Sequence, residues 1–173
     1  MATLLLIRHA EPSVTGTFLG QTDPPLSLAG HAQAREALSH LEVEIAYVSP
    51  LRRARETAFY LPSKHIVFPE LQEIDFGEWT GKTWPQIQLD WPTLAQEKLA
   101  NWLEVAPPGG EPWTDFMRRL HSVWRRIRNG PSPAAVVAHG GVNAALAHII
   151  AGHSPLHFNQ NHIEVTSIEY RTD

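Results

Sequence analysis

Arginine and histidine stand side by side at the point where the first apolar run of the chain ends. Residues 4–7 are all leucine or isoleucine, and Arg8 and His9 follow directly. A guanidinium can hold two oxygens of a phosphate at once, and a neutral imidazole can act as a nucleophile or a proton carrier. The pair therefore predicts an anion site that contains a reactive group.

A second histidine has the same kind of setting late in the chain. The apolar run 134–138 ends in His139, and Gly140 and Gly141 follow. Glycine has no side chain, so a ligand can approach the backbone closely there. If both runs are parallel strands of one sheet, their ends emerge at the same edge. The imidazoles of His9 and His139 could then face each other.

A third apolar run, 45–48, ends at Ser49 and Pro50, and proline is well tolerated in the first turn of a helix. This places Arg53 near the start of the next helix, where backbone N–H groups already favour an anion. Two arginines, two histidines and a helix N-terminus around one point would form a cage suited to a tetrahedral dianion.

Apolar runs and helical patterns alternate along the whole chain. The predicted strands are 4–7, 45–48, 66–68, 134–138 and 163–170, and the predicted helices are 27–41, 51–61, 111–129 and 142–151. This order indicates an α/β fold, a three-layer αβα sandwich with a mainly parallel central sheet and helices on both faces. A length of 173 residues fits a single domain, 1–173.

The stretch 70–110 differs from the rest of the chain. Residues 70–79 are acidic and flanked by aromatic residues, which favours an irregular segment. Residues 83–103 carry three tryptophans, which indicates one or two short helices that pack as a cap, and the Pro-Pro-Gly-Gly run at 107–110 is a clear break. We therefore expect a cap-like insertion at about 70–110.

Composition excludes several classes of function. The chain has no cysteine, so it has no disulfide, no thiol nucleophile and no Cys-ligated zinc, and this fits a cytoplasmic location. Its net charge is −4 with scattered positive residues, which gives no footprint for nucleic acid. No apolar run approaches the length of a membrane span. We expect neither a nucleic-acid partner nor a membrane partner.

Five segments together resemble the histidine phosphatase superfamily, also called the phosphoglycerate mutase-like family. They are 8–11, 25–27 with Gly30, 49–58, 71–81 and 138–141. Each is weak alone, but they occur in the family's order and cover nearly the whole chain. The resemblance implies the family's αβα fold and a phosphoryl-transfer activity.

The resemblance also implies roles for particular residues. His9 would be the nucleophile, phosphorylated on nitrogen during turnover, and Glu73 would be the general acid. The phosphate would be held by Arg8, Arg53, His139 and Gly140. Asp75 and Glu78 stand close to Glu73 and are alternatives for the acid, and Arg52 and Arg55 are alternatives for Arg53.

The predicted function is a metal-independent phosphomonoester hydrolase that acts on a small phosphorylated metabolite. The segment 109–111 and the segment 71–81 resemble the branch that contains α-ribazole phosphatase, which makes α-ribazole 5'-phosphate a candidate substrate. Ala10 replaces the family's commoner glycine, and the short loop 11–20 does not allow its substrate contacts to be assigned. A compact chain favours a phosphatase over a mutase, whose members carry longer insertions.

Three alternatives stay open. Short family members remove phosphate from phosphohistidine on a partner protein, a phosphoglycerate mutase would need a bisphosphate primer, and a regulator would bind a phospho-ligand without turnover. The spacing of His148, His153, His157 and His162 matches no standard zinc motif, so we predict no metal, no cofactor, and structural or exposed roles for these histidines. A homodimer is compatible with the sequence.

Overall fold

The computed structural model describes residues 1–172. Its elements, in chain order, are β1 (Ala2–Arg8), α1 (Leu28–Leu38), β2 (Ile45–Val48), α2 (Arg52–Ala58), β3 (Lys64–Val67), α3 (Trp84–Asp90), α4 (Pro92–Ala100), α5 (Trp113–Ile127), β4 (Ala134–Ala138), α6 (Gly140–Ala151) and β5 (Val165–Tyr170). Two short 3₁₀ turns, Pro69–Leu71 and Gly77–Trp79, lie in the segment predicted to be irregular.

The five strands form one sheet in the order β3-β2-β4-β1-β5. β1, β2, β3 and β4 are mutually parallel, whereas β5 runs antiparallel to β1 at one edge. The register aligns Arg8 with Ala138 and Val48 with Val137. The carboxyl ends of the three central strands therefore meet at one edge of the sheet, as the sequence predicted.

Alternation along the central strands divides the core into two layers. Leu4, Leu6 and Val136 belong to the cluster that contains the buried residues of α5 and α6. Ile7 and Val137 belong to the opposite cluster, with residues of α1 and α2. Because successive side chains of a strand point to opposite faces, these runs must be apolar at nearly every position. The α/β sandwich predicted from the sequence is thus confirmed.

Several predicted boundaries shift. The side chain of Ser27 caps α1 as expected, accepting a hydrogen bond from the Gly30 N–H. α6 begins at Gly140, two residues earlier than predicted, so His139 is its N-cap. The last strand begins at Val165 and not at Ile163, because Ile163 has a left-handed backbone with φ of 62°. An extended strand cannot include that conformation.

The cap-like region has a small core of its own. Trp79, Ile87 and Ala95 are buried there, and Phe18, Phe76, Trp84, Trp91 and Leu94 pack around them. Both α3 and α4 have a proline in the first turn, where its missing N–H costs no hydrogen bond. Among residues 1–172, no helix is both long enough and apolar enough to cross a membrane.

Candidate active site

His9 and His139 meet at the carboxyl edge of the sheet. The N–H of His9 donates to the carbonyl of Ala138 at 2.9 Å, which continues the pairing of β1 with β4 by one residue. The ring centroids of His9 and His139 are 5.2 Å apart in an edge-to-face arrangement. Only 4% of His9 and 1% of His139 are exposed. Two imidazoles that are 130 residues apart in sequence thus share one buried space.

Hydrogen bonding determines which nitrogen of His9 is free to react. Its Nδ1 lies 2.8 Å from the carbonyl of Ala10, which can only accept, so Nδ1 carries the proton and Nε2 carries the lone pair. Arg53 places its Nε 3.3 Å from Nε2. Burial, together with the charges of Arg53 and Arg8, lowers the pKa of His9 to about 3. The ring is therefore a neutral imidazole at neutral pH.

Arg53 is the arginine of α2 that faces the site. It is 1% exposed, whereas Arg52 and Arg55 point to solvent. Its Nη1 donates to the Thr22 carbonyl at 2.6 Å and its Nη2 to the Gly20 carbonyl at 2.8 Å. Burial lowers its pKa and the Glu73 carboxyl opposes that effect. The guanidinium thereby joins the loop before α1 to His9.

Arg8 is held from the other side by the segment before β5. Its Nη1 donates to the carbonyl of Gln160. The side chain of Gln160 is itself buried and bonds the Leu6 carbonyl at 3.0 Å and the Asn143 amide at 2.9 Å. The Nε of Arg8 is buried without a hydrogen-bond partner in the described residues. A buried donor without a partner is costly, and a bound anion would remove this cost by accepting its hydrogen bond.

His139 presents one nitrogen in the same way. Its Nε2 lies 2.8 Å from the hydroxyl of Ser49, while its Nδ1 is buried with no partner within residues 1–172. Burial lowers the pKa of His139 well below its ordinary value, and the charge of a neighbouring His9 would lower it further. The sequence placed Ser49 at a strand end but did not predict its contact with His139. Its position directly after β2 was the one feature that could have indicated this contact.

Glu73 lies in the segment between the two 3₁₀ turns and contacts the first turn of α6. Its Oε2 accepts the N–H of Gly141 at 3.0 Å and its Oε1 accepts the N–H of Ile74 at 2.9 Å. Burial raises its pKa, although these two hydrogen bonds and Arg53 oppose the rise. Glu73 therefore keeps its proton to a higher pH than an ordinary carboxyl group does, which is what a general acid needs.

The other two acidic candidates are arranged differently. Asp75 accepts the N–H of Gly77 at 2.8 Å and so shapes the turn, and Glu78 is exposed. Neither lines the cleft that contains His9, whereas Glu73 does. Arg119 bonds the carbonyls of Gln72 and Glu73 at 2.8 and 3.2 Å and thus holds the segment in place.

The two glycines after His139 have unequal roles. A Cβ on Gly141 would stand 2.5 Å from Oε1 of Glu73, which is too close for any real contact. A Cβ on Gly140 would meet Arg8 at 3.7 Å, an ordinary contact distance. The sequence indicated both glycines for close approach of a ligand, and both line the cleft. The structure gives Gly141 a further role, because its missing side chain makes room for the carboxyl of Glu73.

His162 is a site residue that the sequence placed elsewhere, as structural or exposed. Its ring centroid lies 5.4 Å from that of His9, and burial lowers its pKa. The next residue, Ile163, takes its positive φ while its N–H donates to the carbonyls of Arg8 and His9 at 3.0 and 3.3 Å. A β-branched residue in this conformation is strained. The strain occurs in a loop that is held against His9, and no local sequence signal predicts it.

Most of these groups line a cleft of about 490 Å³, whereas His139 and Ser49 are not part of its lining. The lining groups are Arg8, His9, Arg53, Glu73, Gly140, Gly141 and His162. The loop 12–20 forms one wall, and Phe76, Trp84 and Phe158 contribute aromatic surface to its lining. The other histidines remain apart from it: His148, for example, bonds the carbonyl of His153. Within the described part of the chain, no group of three or more histidine, aspartate or glutamate side chains is arranged to hold a metal ion.

One buried and one half-buried guanidinium, two neutral imidazoles and one carboxyl of raised pKa define a site for a phosphoryl group. Cations of fixed geometry suit its oxygens, a neutral imidazole nitrogen can attack phosphorus, and a protonated carboxyl can supply the departing oxygen with a proton. The fold that carries this site is the αβα sandwich with His9 at the end of its first strand.

Comparison with known proteins identifies the family. The sequence profile described as "Histidine phosphatase superfamily (branch 1)" matches residues 4–172, and the chain belongs to this superfamily. It is 31% identical to a 2,3-bisphosphoglycerate-dependent phosphoglycerate mutase of Brucella anthropi, over 88% of this chain and 83% of that protein. It is 33% identical to a glucosyl-3-phosphoglycerate phosphatase of Mycobacterium tuberculosis, over 83% of this chain and 73% of that protein.

Among solved structures, the chain is similar to the alpha-ribazole phosphatase of Shigella flexneri. The TM-score is 0.83 with 26% sequence identity, and the match covers 96% of this chain and 90% of that one. The similar proteins therefore include both phosphatases and mutases, and the family resemblance found in the sequence is confirmed.

Proposed function

We propose that this protein is a metal-independent phosphomonoester hydrolase that works through a phosphohistidine on Nε2 of His9. One observation carries the proposal: the nucleophilic nitrogen is a neutral imidazole lone pair next to a buried guanidinium, with a carboxyl of raised pKa lining the same cleft. The positive charge that phosphoryl transfer needs comes from Arg8 and Arg53. Most of the remaining rate enhancement comes from the positioning of the reacting groups.

In the first step, Nε2 of His9 forms a bond to phosphorus while the bond from phosphorus to the ester oxygen breaks. The electron pair of that bond goes to the departing oxygen, which takes a proton from Glu73. The proton on Nδ1 stays in its hydrogen bond to the Ala10 carbonyl and stabilises the positive charge that develops on the ring. The phosphoryl oxygens are held by Arg8, by Arg53 and by Nδ1 of His139, in the neutral tautomer that carries its proton on Nδ1.

In the second step, water attacks phosphorus and gives a proton to the Glu73 carboxylate. The bond from phosphorus to Nε2 breaks and its electron pair returns to the nitrogen. Inorganic phosphate leaves, and both His9 and Glu73 regain their starting protonation states. One carboxyl group thus acts first as acid and then as base.

The proposed substrate class is a small phosphorylated metabolite. Similarity to the structure of an alpha-ribazole phosphatase supports α-ribazole 5'-phosphate as a candidate. Similarity to a glucosyl-3-phosphoglycerate phosphatase supports other phosphorylated metabolites equally well. A panel of phosphomonoesters assayed with and without a chelator would separate these candidates and test the metal independence.

The decisive experiment compares two histidine variants of the same cleft. His9→Ala should abolish phosphate release and the acid-labile phosphoprotein that forms on rapid mixing with labelled substrate. His162→Ala, the matched control, removes a neighbouring imidazole and should still form the phosphoprotein. Formation of a phosphoprotein by His9→Ala would refute the proposal.

A mutase is the second candidate because a named mutase is among the similar proteins. It would interconvert monophosphoglycerates only after priming with 2,3-bisphosphoglycerate, whereas the proposed hydrolase releases phosphate without a primer. A phosphohistidine protein phosphatase has little need of a general acid, because a protonated imidazole departs easily, so Glu73 disfavours it. A binding regulator would gain thermal stability from phospho-ligands without releasing phosphate.

A further inference from the structure

A second cavity lies next to the catalytic cleft and has no part in the chemistry proposed above. Its volume is about 440 Å³, which is within the range of small-molecule sites. Three residues line both cavities: Glu73, Phe76 and Gly141. The general acid therefore stands at the boundary between the two spaces, and the bare backbone of Gly141 belongs to both.

The walls of this second cavity are mainly apolar. They include Trp102, Trp113 and Leu156, with further leucine, valine, alanine and proline residues. Trp102 is 38% exposed and Leu156 is 58% exposed, so part of the apolar wall is open to solvent. Apolar surface left exposed in a concave site commonly marks a place for a ligand.

The charged groups around the second cavity, Glu73 apart, are already matched by partners. Lys98 donates to the carbonyls of Trp102 and Val105 and lies over the Trp102 ring at 5.0 Å. Glu111 is held by a two-point contact with Arg119 at 2.8 and 2.9 Å. These contacts shape the walls in advance and engage both charged groups with partners from the protein.

We propose, building on the hydrolase function above, that the second cavity binds the alcohol portion of the substrate, and that this portion is an uncharged aromatic or bulky apolar group. The departing oxygen must lie beside the Glu73 carboxyl to receive its proton. A group attached to that oxygen can pass Gly141 and reach Trp102 and Leu156. The phosphate cage and the apolar cavity then bind the two ends of one molecule.

The test uses two esters whose departing oxygens are chemically alike. Ethyl phosphate is too short to reach the second cavity, whereas 2-(2-naphthyl)ethyl phosphate carries a naphthyl group that fits it. The wild-type KM should be lower for the naphthyl ester by at least about tenfold, which corresponds to burial of a modest part of its apolar surface. Similar KM values for the two esters would overturn the inference.

A matched pair of leucines gives the variants. Leu156 lines the cavity and Leu99 does not, yet they are 58% and 59% exposed, so serine at either position should leave the fold intact. Leu156→Ser should raise the KM for the naphthyl ester about three- to tenfold, since part of a leucine contact is lost. It should leave kcat and the KM for ethyl phosphate within twofold, and Leu99→Ser should change none of these values.

A second readout separates this inference from the hydrolase proposal. Titration of 2-(2-naphthyl)ethanol, which carries no phosphate, should shift the indole NMR signal of Trp102, and Ala144→Leu should weaken that binding by filling the cavity. If no phosphomonoester is hydrolysed but the alcohol binds at Trp102, the hydrolase proposal fails alone. If esters are hydrolysed but the alcohol leaves Trp102 unperturbed, the cavity assignment fails alone.

Discussion

Substituting Gly141 by alanine should damage catalysis while sparing the fold. The new Cβ would stand 2.5 Å from Oε1 of Glu73, about 0.5 Å closer than real Cβ atoms come to other atoms. The carboxyl is the mobile end of a side chain, so it can move away without disturbing the backbone. Gly141 lies in the first turn of α6, where alanine is favoured over glycine by up to about 1 kcal/mol. The displaced carboxyl weakens its hydrogen bond from the Gly141 N–H, which offsets this gain, so the free energy of unfolding should change by less than about 1 kcal/mol.

The size of the catalytic loss follows from the displacement. Proton donation by a positioned carboxyl is worth about 10²- to 10⁴-fold, and a misplacement of about 1 Å can cost about 10²-fold. We expect kcat/KM, which reports the first step alone, to fall about 100-fold for ethyl phosphate, because an alkoxide departs poorly without a proton. With p-nitrophenyl phosphate the departing oxygen needs little help, so the loss should stay below about fivefold on the same reasoning.

Steady-state kinetics with both substrates, together with urea unfolding, measures these effects. Gly140→Ala is the comparison variant, because its Cβ would contact Arg8 at 3.7 Å and not the carboxyl. Any effect of that substitution should fall equally on the two substrates, since both carry the same phosphate. If Gly141→Ala keeps full activity on ethyl phosphate, or loses both activities equally, Glu73 is not acting as the acid from the position that the structure gives it.

Three further predictions concern the charged groups of the site. For ethyl phosphate, kcat/KM should fall as pH rises through the raised pKa of Glu73, because its proton is lost, whereas His9 stays neutral down to its pKa of about 3. In the pH profile of the same enzyme with p-nitrophenyl phosphate, whose departing oxygen needs little help from an acid, this alkaline limb should be shallow. An equally steep limb with both substrates would assign it to another group. Arg53→Met should lower the free energy of unfolding, measured in urea, because the carbonyls of Gly20 and Thr22 lose their donor, at about 1–3 kcal/mol each. Arg55→Met, at an exposed position of the same helix, should change it by less than about 0.5 kcal/mol, and equal effects would contradict the burial of Arg53. Because the pKa of His9 is lowered from 6.5 to about 3, the unfolded chain takes up a proton in this window that the folded chain does not, so stability should fall as pH drops from 6.5 towards 3. Thermal melts of His9→Asn should show a shallower fall, and an identical slope would mean that the ring is not buried neutral.

The framework of the site could be predicted from local patterns. Short, continuous apolar runs are typical of strands covered on both faces, and parallel strands end at one edge of the sheet. These two rules predict that His9 and His139 meet, and their ring centroids are 5.2 Å apart in the structure. The prediction needs only that their strands are parallel neighbours, and β1 and β4 do pair in parallel.

Choices between neighbouring residues could not be made from patterns alone. Arg52, Arg53 and Arg55 share one helix, and only packing shows that Arg53 turns inward to Gly20 and Thr22. Resemblance to a family had selected Arg53, but propensity and spacing had not. The irregular segment that carries Glu73 has no periodicity from which a direction could be predicted.

Residue types and their order along the chain were enough to indicate an α/β sandwich, an anion site at its carboxyl edge and phosphoryl chemistry, because strand and helix periodicity are local properties. The surroundings of each group depended on contacts between distant segments. Tertiary packing set the protonation of His9 by burying it, opened the gap at Gly141 for the Glu73 carboxyl, and brought His162 next to the nucleophile. Burial and close approach arise only when segments far apart in sequence meet, so no local pattern contains them.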